Sequence, residues 1–205
     1  MLGSYAASQA AEAGREKIAM TKDPVQHHRR SIRLKEYDYS LEGDYFVTIC
    51  VNRRACIFGE VASYEMVLNP VGQMVARWWD ELNRKFAFVQ TDAFVVMPNH
   101  VHGIINIQPV GADLCVCPQE GAHAGAPLHE IVQWFKTMTT NEYLRRVKDD
   151  GWPPLTGRLW QRNYYEHIIR SEKSLEAICE YIGANPAQWV YDLENPLNFQ
   201  TAQIV

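Results

Sequence analysis

Hydrophobic and polar positions change rhythm several times along the chain. Residues 44–51 (DYFVTICV) are dense in β-branched and aromatic side chains, which predicts a buried strand. Residues 55–69 predict a short hairpin turning at Gly59. From 71 to about 84, the residues Met74, Val75, Trp78, Trp79 and Leu82 recur at spacings of three and four, the period of an amphipathic helix. Strand patterns at 91–96 and 101–107 flank Pro98-Asn99. A second helix is predicted over 129–147, with Ile131, Val132, Phe135, Met138, Tyr143, Leu144 and Val147 on its apolar side. Residues 150–157 (DGWPPLTG) are rich in turn formers, and 159–169 predicts another strand or extended segment. A last helix is predicted over 171–185, capped by Ser171 and ended by Pro186.

This mixed order, with neighbouring strands, predicts an α+β fold: a mostly antiparallel sheet with packed helices in a single domain. It does not suit a doubly wound parallel sheet, and neither common glycine-rich phosphate loop is present. The domain is expected over 26–190. Residues 1–25, rich in Ala, Ser and Glu, read as a flexible arm, and 191–205 as a tail. Residues 109–126 read as a loop or insertion.

Composition narrows the class. Of 205 residues, 47% are apolar, enough to build a core and to exclude disorder throughout. Twenty Lys and Arg against 24 Asp and Glu leave a net charge of −4, which excludes indiscriminate coating of duplex DNA. The five Cys lack framework spacing, and Cys115-Val116-Cys117 lacks the spacing and second pair of a zinc knuckle. No secretory signal and no apolar run of about 18 residues is present, so no membrane association is expected and the cytoplasm is the expected compartment.

The candidate chemistry centres on VVMPNHVHGIINI, residues 95–107. On a strand, His100 and His102 face the same way and Val101 faces the opposite layer. Two neutral imidazoles aimed at one point suit a metal ion; the alternative is a pair of hydrogen-bonded or surface histidines. In the last helix Tyr181 and Asn185 are four apart and share one face. A Tyr hydroxyl is a weak nucleophile while neutral, and a nearby cation can polarise a phosphate it attacks. The Asn carbonyl is a hard oxygen ligand suited to Mg²⁺ or Mn²⁺. Tyr181 can equally be a half-buried core aromatic. Arg29, Arg30 and Arg33 lie in the basic run HHRRSIRLK, which is either a solvated surface or a phosphate-contacting arm. Lys136 and Arg162 stand with them as candidates for DNA contact, against simple solvent exposure.

Several stretches together carry a resemblance: RRSIRLKEYDYS, GDYFVTICVNRRACIFGE, FVVMPNHVHGII, LWQRNYYEHIIR and EYIGANPAQW. The chain resembles the single-tyrosine HUH transposases, most closely the REP-associated tyrosine transposases, over roughly residues 29–189. The resemblance implies that His100 and His102 bind the catalytic metal, Mg²⁺ or Mn²⁺. It implies that Tyr181 attacks single-stranded DNA and that Asn185 completes the metal site. It further implies a ferredoxin-like antiparallel core, a 5′-phosphotyrosine intermediate, a hairpin or palindromic DNA substrate, and action as a monomer or homodimer.

Tyr164 and Tyr165 compete as nucleophiles. As neighbours in an extended segment they face opposite ways, so one at most reaches the site. Two other readings stand beside the transposase-like one. One is a domesticated hairpin nucleic-acid binder that no longer cuts; the other is a metallohydrolase that uses metal-bound water and needs no tyrosine.

Overall fold

The computed structural model describes residues 38–39, 41–109 and 127–201. Arg29, Arg30, Arg33, the arm and the 110–126 stretch lie outside the described residues. The elements run β1 (Gly43–Cys50), β2 (Gly59–Ala62), β3 (Glu65–Leu68), α1 (Pro70–Lys85), β4 (Val89–Val96), β5 (His100–Ile107), α2 (Leu128–Asp149), β6 (Tyr165–Ile169), α3 (Glu172–Gln188) and α4 (Pro196–Thr201). The fold is α+β. Four strands form one sheet in the order β4-β5-β1-β6, every neighbouring pair antiparallel, and β2-β3 is a separate hairpin.

Alternation along the central strands divides the protein into two layers. Tyr45, Val47 and Ile49 of β1, with Val101, Ile105 and Ile107 of β5, are buried in one cluster with Val75, Trp79 and Leu82 of α1 and Ile131, Val132 and Phe135 of α2. Phe46 of β1 and Ile104 of β5 face the other side, where they meet Ile169 of β6 and Ile182 of α3. The period of two therefore hands the even-numbered side chains of β5, His100 and His102 among them, to the α3 side.

Local chemistry fixes several boundaries. Asn69 caps α1, its side-chain oxygen accepting from the N–H groups of Val71 (2.9 Å) and Gly72 (3.0 Å), with Pro70 at the first helical position. Gly103 lies beneath Trp79; a Cβ there would collide with the indole, which stacks on Phe94 at 4.5 Å.

Three expectations are corrected. The β2-β3 hairpin turns at Ser63 and Tyr64, both at positive φ (52° and 67°), as a tight hairpin turn requires; Gly59 instead opens β2. Pro186 does not end α3, which runs on to Gln188. In the last turn Pro186 removes a single backbone bond, and the buried Ile182 and Asn185 hold the turn in place. The strand expected over 159–169 shortens to Tyr165–Ile169. Upstream, Trp160 forms an isolated bridge with Val51 and Gln161 N donates to Cys50 O at the end of β1 (2.9 Å), but the polar run Gln161-Arg162-Asn163 forms no strand.

Candidate active site

β5 begins immediately after the Pro98-Asn99 turn, which is pinned by hydrogen bonds from Val51 N to Asn99 O (2.8 Å) and from Met97 N to His100 O (2.8 Å). The turn is also chemically active on the first histidine. The buried Asn99 amide nitrogen donates to the carbonyls of Arg54 (3.0 Å) and Glu194 (2.7 Å). That fixes the amide orientation and aims its oxygen at His100 Nδ1, 2.9 Å away. Nδ1 must then carry the proton, which leaves the Nε2 lone pair pointing inward.

His102 is held from the neighbouring strand. Thr48 is its cross-strand partner on β1, and the Thr48 hydroxyl lies 2.8 Å from His102 Nδ1. A hydroxyl can donate or accept, so Thr48 supports either tautomer. The two Nε2 atoms stand 2.9 Å apart. One proton can bridge them. With Thr48 accepting from Nδ1–H, both lone pairs become available to a cation. Burial lowers the pKa of His100 to about 4, and burial together with His100 lowers that of His102 to about 2, so both rings are neutral at physiological pH.

The tail adds a carboxylate. Asp192 Oδ2 is 3.7 Å from His100 Nε2, while its Oδ1 accepts from Glu194 N at 2.7 Å. Burial raises the Asp192 pKa. One ligand atom each from His100, His102 and Asp192 lies within 4.8 Å of the others. Two imidazole nitrogens and a carboxylate oxygen form a donor set suited to a divalent cation. The segment is strapped in place by the Arg54–Glu194 ion pair (2.5 and 3.1 Å) and by the Asn99 bond to Glu194 O.

Tyr181, on α3, brings its hydroxyl to 3.5 Å from His102 Nε2. Its ring meets Phe46 edge-on at 6.1 Å, and Phe46 stacks on His102 at 5.4 Å. The ring is 45% exposed and therefore open to a substrate. Asn185, one turn on, is buried and lines the same cleft, of about 610 Å³, as Tyr181, His102 and Asp192. Tyr165 opposes Thr48 across the β1–β6 ladder and lies edge-on to Phe46 at 6.4 Å; Tyr164 sits against Lys136. Cys50 also lines the cleft, but burial, reinforced by Glu194, pushes its thiol up to about 12 and removes it as a nucleophile.

Lys136, a candidate for DNA contact, is engaged within the protein. The residue is 9% exposed, and its ammonium donates to three successive carbonyls, Gln161 O (2.9 Å), Arg162 O (3.3 Å) and Asn163 O (3.2 Å). Its three protons hold the loop that walls the cleft. Arg162 is exposed on that loop.

Sequence reasoning missed Asn99, Thr48 and Asp192. The first two left a trace: Asn99 precedes His100 directly, and Thr48 shares the face of Phe46 on β1. Asp192 left none, because only the turn after α3 brings it back to the histidines.

The fold and site define an α+β protein with a paired-histidine centre beside a partly exposed tyrosine. The chain is 42% identical over 171 residues to an uncharacterized protein of Haemophilus influenzae, covering 81% of this chain and 92% of that protein. It belongs to the same family as this Haemophilus protein. No family model matches the chain. Among solved structures, it is similar to a REP-associated tyrosine transposase bound to a REP hairpin, with 21% identity, TM-score 0.49, and 77% of this chain and 74% of that one covered. It is also similar to a protein from Deinococcus radiodurans R1 provisionally named a transposase, with 16% identity, TM-score 0.37, and 75% of this chain and 96% of that one covered. Both are resemblances at low identity and assign no function. No helix among the described residues is long and apolar enough to cross a membrane.

Proposed function

We propose that the protein nicks and rejoins single-stranded DNA next to a hairpin, as a metal-dependent, transposase-like strand transferase of the single-tyrosine HUH class. The observation that supports this reading is the approach of the Tyr181 hydroxyl to His102 Nε2 at 3.5 Å, beside a second Nε2 only 2.9 Å further on. In this reading Tyr181 Oη attacks a backbone phosphorus in line. The phenolic proton leaves as the O–P bond forms, the bond to the 3′-oxygen breaks, and that oxygen takes up a proton. The products are a 5′-phosphotyrosine and a free 3′-hydroxyl. A 3′-hydroxyl attacking the same phosphorus reverses the exchange, so no external energy source is required.

His100 and His102 would hold a divalent cation through Nε2, with Asp192 or Asn185 supplying oxygen; the mixed nitrogen and oxygen set favours Mn²⁺ over Mg²⁺. Bound there, the cation would polarise a phosphate oxygen and stabilise charge developing at phosphorus. Asn99 and Thr48 fix the two rings, and Phe46 packs against the rings of both His102 and Tyr181.

The test is incubation with a labelled hairpin carrying single-stranded flanks and Mn²⁺, followed by denaturing electrophoresis. A covalent protein–DNA band that disappears in Tyr181→Phe supports the reading. A band that persists in that variant transfers the role to Tyr165 or Tyr164. Cleavage without any covalent band moves the chemistry to water, and retention under native conditions alone leaves a binding protein.

A further inference from the structure

The 161–163 loop borders two concave surfaces. Gln161 and Asn163 line the Tyr181 cleft, whereas Gln161 and Arg162 line a groove of about 430 Å³ against α2. The α2 wall of this groove carries Gln133, Thr137 and Asn141, each four residues after the last and exposed on one helix face. The other wall is the segment Arg158-Leu159-Trp160-Gln161-Arg162, with an exposed arginine at each end. Between the arginines the backbone is anchored. Leu159 O accepts from Asn52 N (2.8 Å), Trp160 bridges to Val51, and Gln161 N donates to Cys50 O (2.9 Å).

The charge of the groove is one-sided. Its described lining contains no Asp or Glu, and neither Arg158 nor Arg162 forms an ion pair among the described residues. Lys136 also lines the groove, but its protons are given to carbonyls. Two uncommitted guanidiniums beside neutral amides suit phosphate oxygens. An unpaired strand would also bring bases that need a ring to stack on. The groove offers none: the aromatic in its described lining, Trp160, is 4% exposed and donates its Nε1–H to Thr139 (2.8 Å). A paired helix stacks its bases inside and shows phosphates outside, which is the surface these walls fit.

We infer that the groove between α2 and residues 158–162 seats the sugar–phosphate backbone of a paired DNA stem, with Arg158 and Arg162 on phosphates and Gln133 and Asn141 donating to neighbouring backbone oxygens. The inference rests on the hairpin part of the proposed function and gives the stem a place on the chain. Because the 161–163 loop borders both surfaces, a stem seated here delivers the strand that leaves it to the side of the loop where Tyr181 lies.

Salt dependence tests the assignment. The full chain, in EDTA so that no cleavage occurs, is titrated into a fluorescein-labelled DNA hairpin with a blunt stem and no single-stranded flank, over a series of salt concentrations. Arg158→Gln combined with Arg162→Gln is expected to make the slope of log affinity against log salt shallower by roughly 2, at about 0.9 per lost contact, and equally so for stems of different sequence. Arg158→Lys combined with Arg162→Lys keeps both point charges and should keep the slope. Both arginines are exposed, so the melting temperature, measured alongside, is expected not to move. An unchanged slope in the Gln variant overturns the inference. An equal loss of slope for an unstructured single strand of the same length also overturns it, because the arginines would then attract any strand rather than seat the stem. Displacement of the hairpin by inorganic phosphate at matched phosphate concentration does the same, since the groove would then be a small-anion site. The covalent-adduct assay is read independently. A slope change with no adduct keeps the groove and removes the strand transferase, whereas an adduct with no slope change does the reverse.

Discussion

The Thr48 hydroxyl lies 2.8 Å from His102 Nδ1, directly across the β1–β5 ladder. A buried imidazole can present its Nε2 lone pair only if the opposite nitrogen has somewhere to place its proton, and Thr48 is that place. Thr48→Val keeps the shape and removes the oxygen. Mn²⁺ affinity is expected to fall about 10- to 100-fold, the usual cost of losing such a partner. Calorimetric titration of the full chain checks this; unchanged affinity would show that the proton of His102 is placed without Thr48.

In the proposed metal site, two oxygens compete for the place beside the histidines. Asp192 Oδ2 is near His100 Nε2 at 3.7 Å, whereas Asn185 lines the cleft from α3. A carboxylate brings charge as well as a lone pair, so Asp192→Ala is expected to weaken Mn²⁺ binding more than Asn185→Ala does, by more than about the 100-fold upper range of an outer partner. The reverse order would return the role to Asn185 and leave Asp192 as a bystander held by the tail.

These relationships also mark how far the sequence could be read. The layer assignment was legible because β1 and β5 alternate cleanly: Val101 faces the α1–α2 core and His100 and His102 face α3, as a period of two demands. Tyr181 and Asn185 fall on one helix face for the same kind of reason. Asp192 was not legible, since no periodicity links a turn residue to a strand 90 positions earlier in a different element. The carbonyl partners of Lys136 were not legible either. Within a helix pattern this lysine looks like any solvated cation, and only the three-dimensional path of 161–163 reveals the carbonyls it serves.

Lys136 therefore separates two kinds of contribution. Lys136→Met leaves three carbonyls without this donor, each lost bond costing on the order of 1 kcal/mol. The melting temperature is expected to drop by several degrees, with the cleft loop loosened. The slope of log affinity against log salt for a hairpin should not change, because the ammonium meets no phosphate. A slope shallower by about 0.7–0.9 would restore Lys136 as a DNA contact.

A second structural knot ties α1 to α2. Glu142, 6% exposed, accepts from Arg77 (2.6 Å) and Trp78 Nε1 (2.7 Å), with Arg146 at 3.4 Å. Burial pushes its carboxyl up, but the hydrogen bonds from Arg77 and Trp78 and the nearby arginine charges outweigh this and hold it below the ordinary value. A carboxyl depressed in the folded state stabilises the fold above its unfolded pKa, and loses that contribution as pH falls through the folded value. Glu142→Gln is thus expected to cost on the order of 1–3 kcal/mol at pH 7 and far less near pH 3. Denaturant unfolding at the two pH values checks it, and a pH-independent difference would contradict it.

The net charge of −4 leaves one question for the DNA reading: where phosphate charge is met. The cleft does not meet it, since its described lining holds no Lys or Arg, and Lys136 is committed to carbonyls. The remaining sequence candidates are Arg162, exposed on the cleft loop, and Arg29, Arg30 and Arg33. If those three carry the phosphate contacts, replacing them together by Gln should reduce the salt slope for single strands by roughly 2, at about 0.7 per contact. Arg162→Gln alone should change the slope by less than one. An unchanged slope in the triple variant would place the phosphate contacts elsewhere.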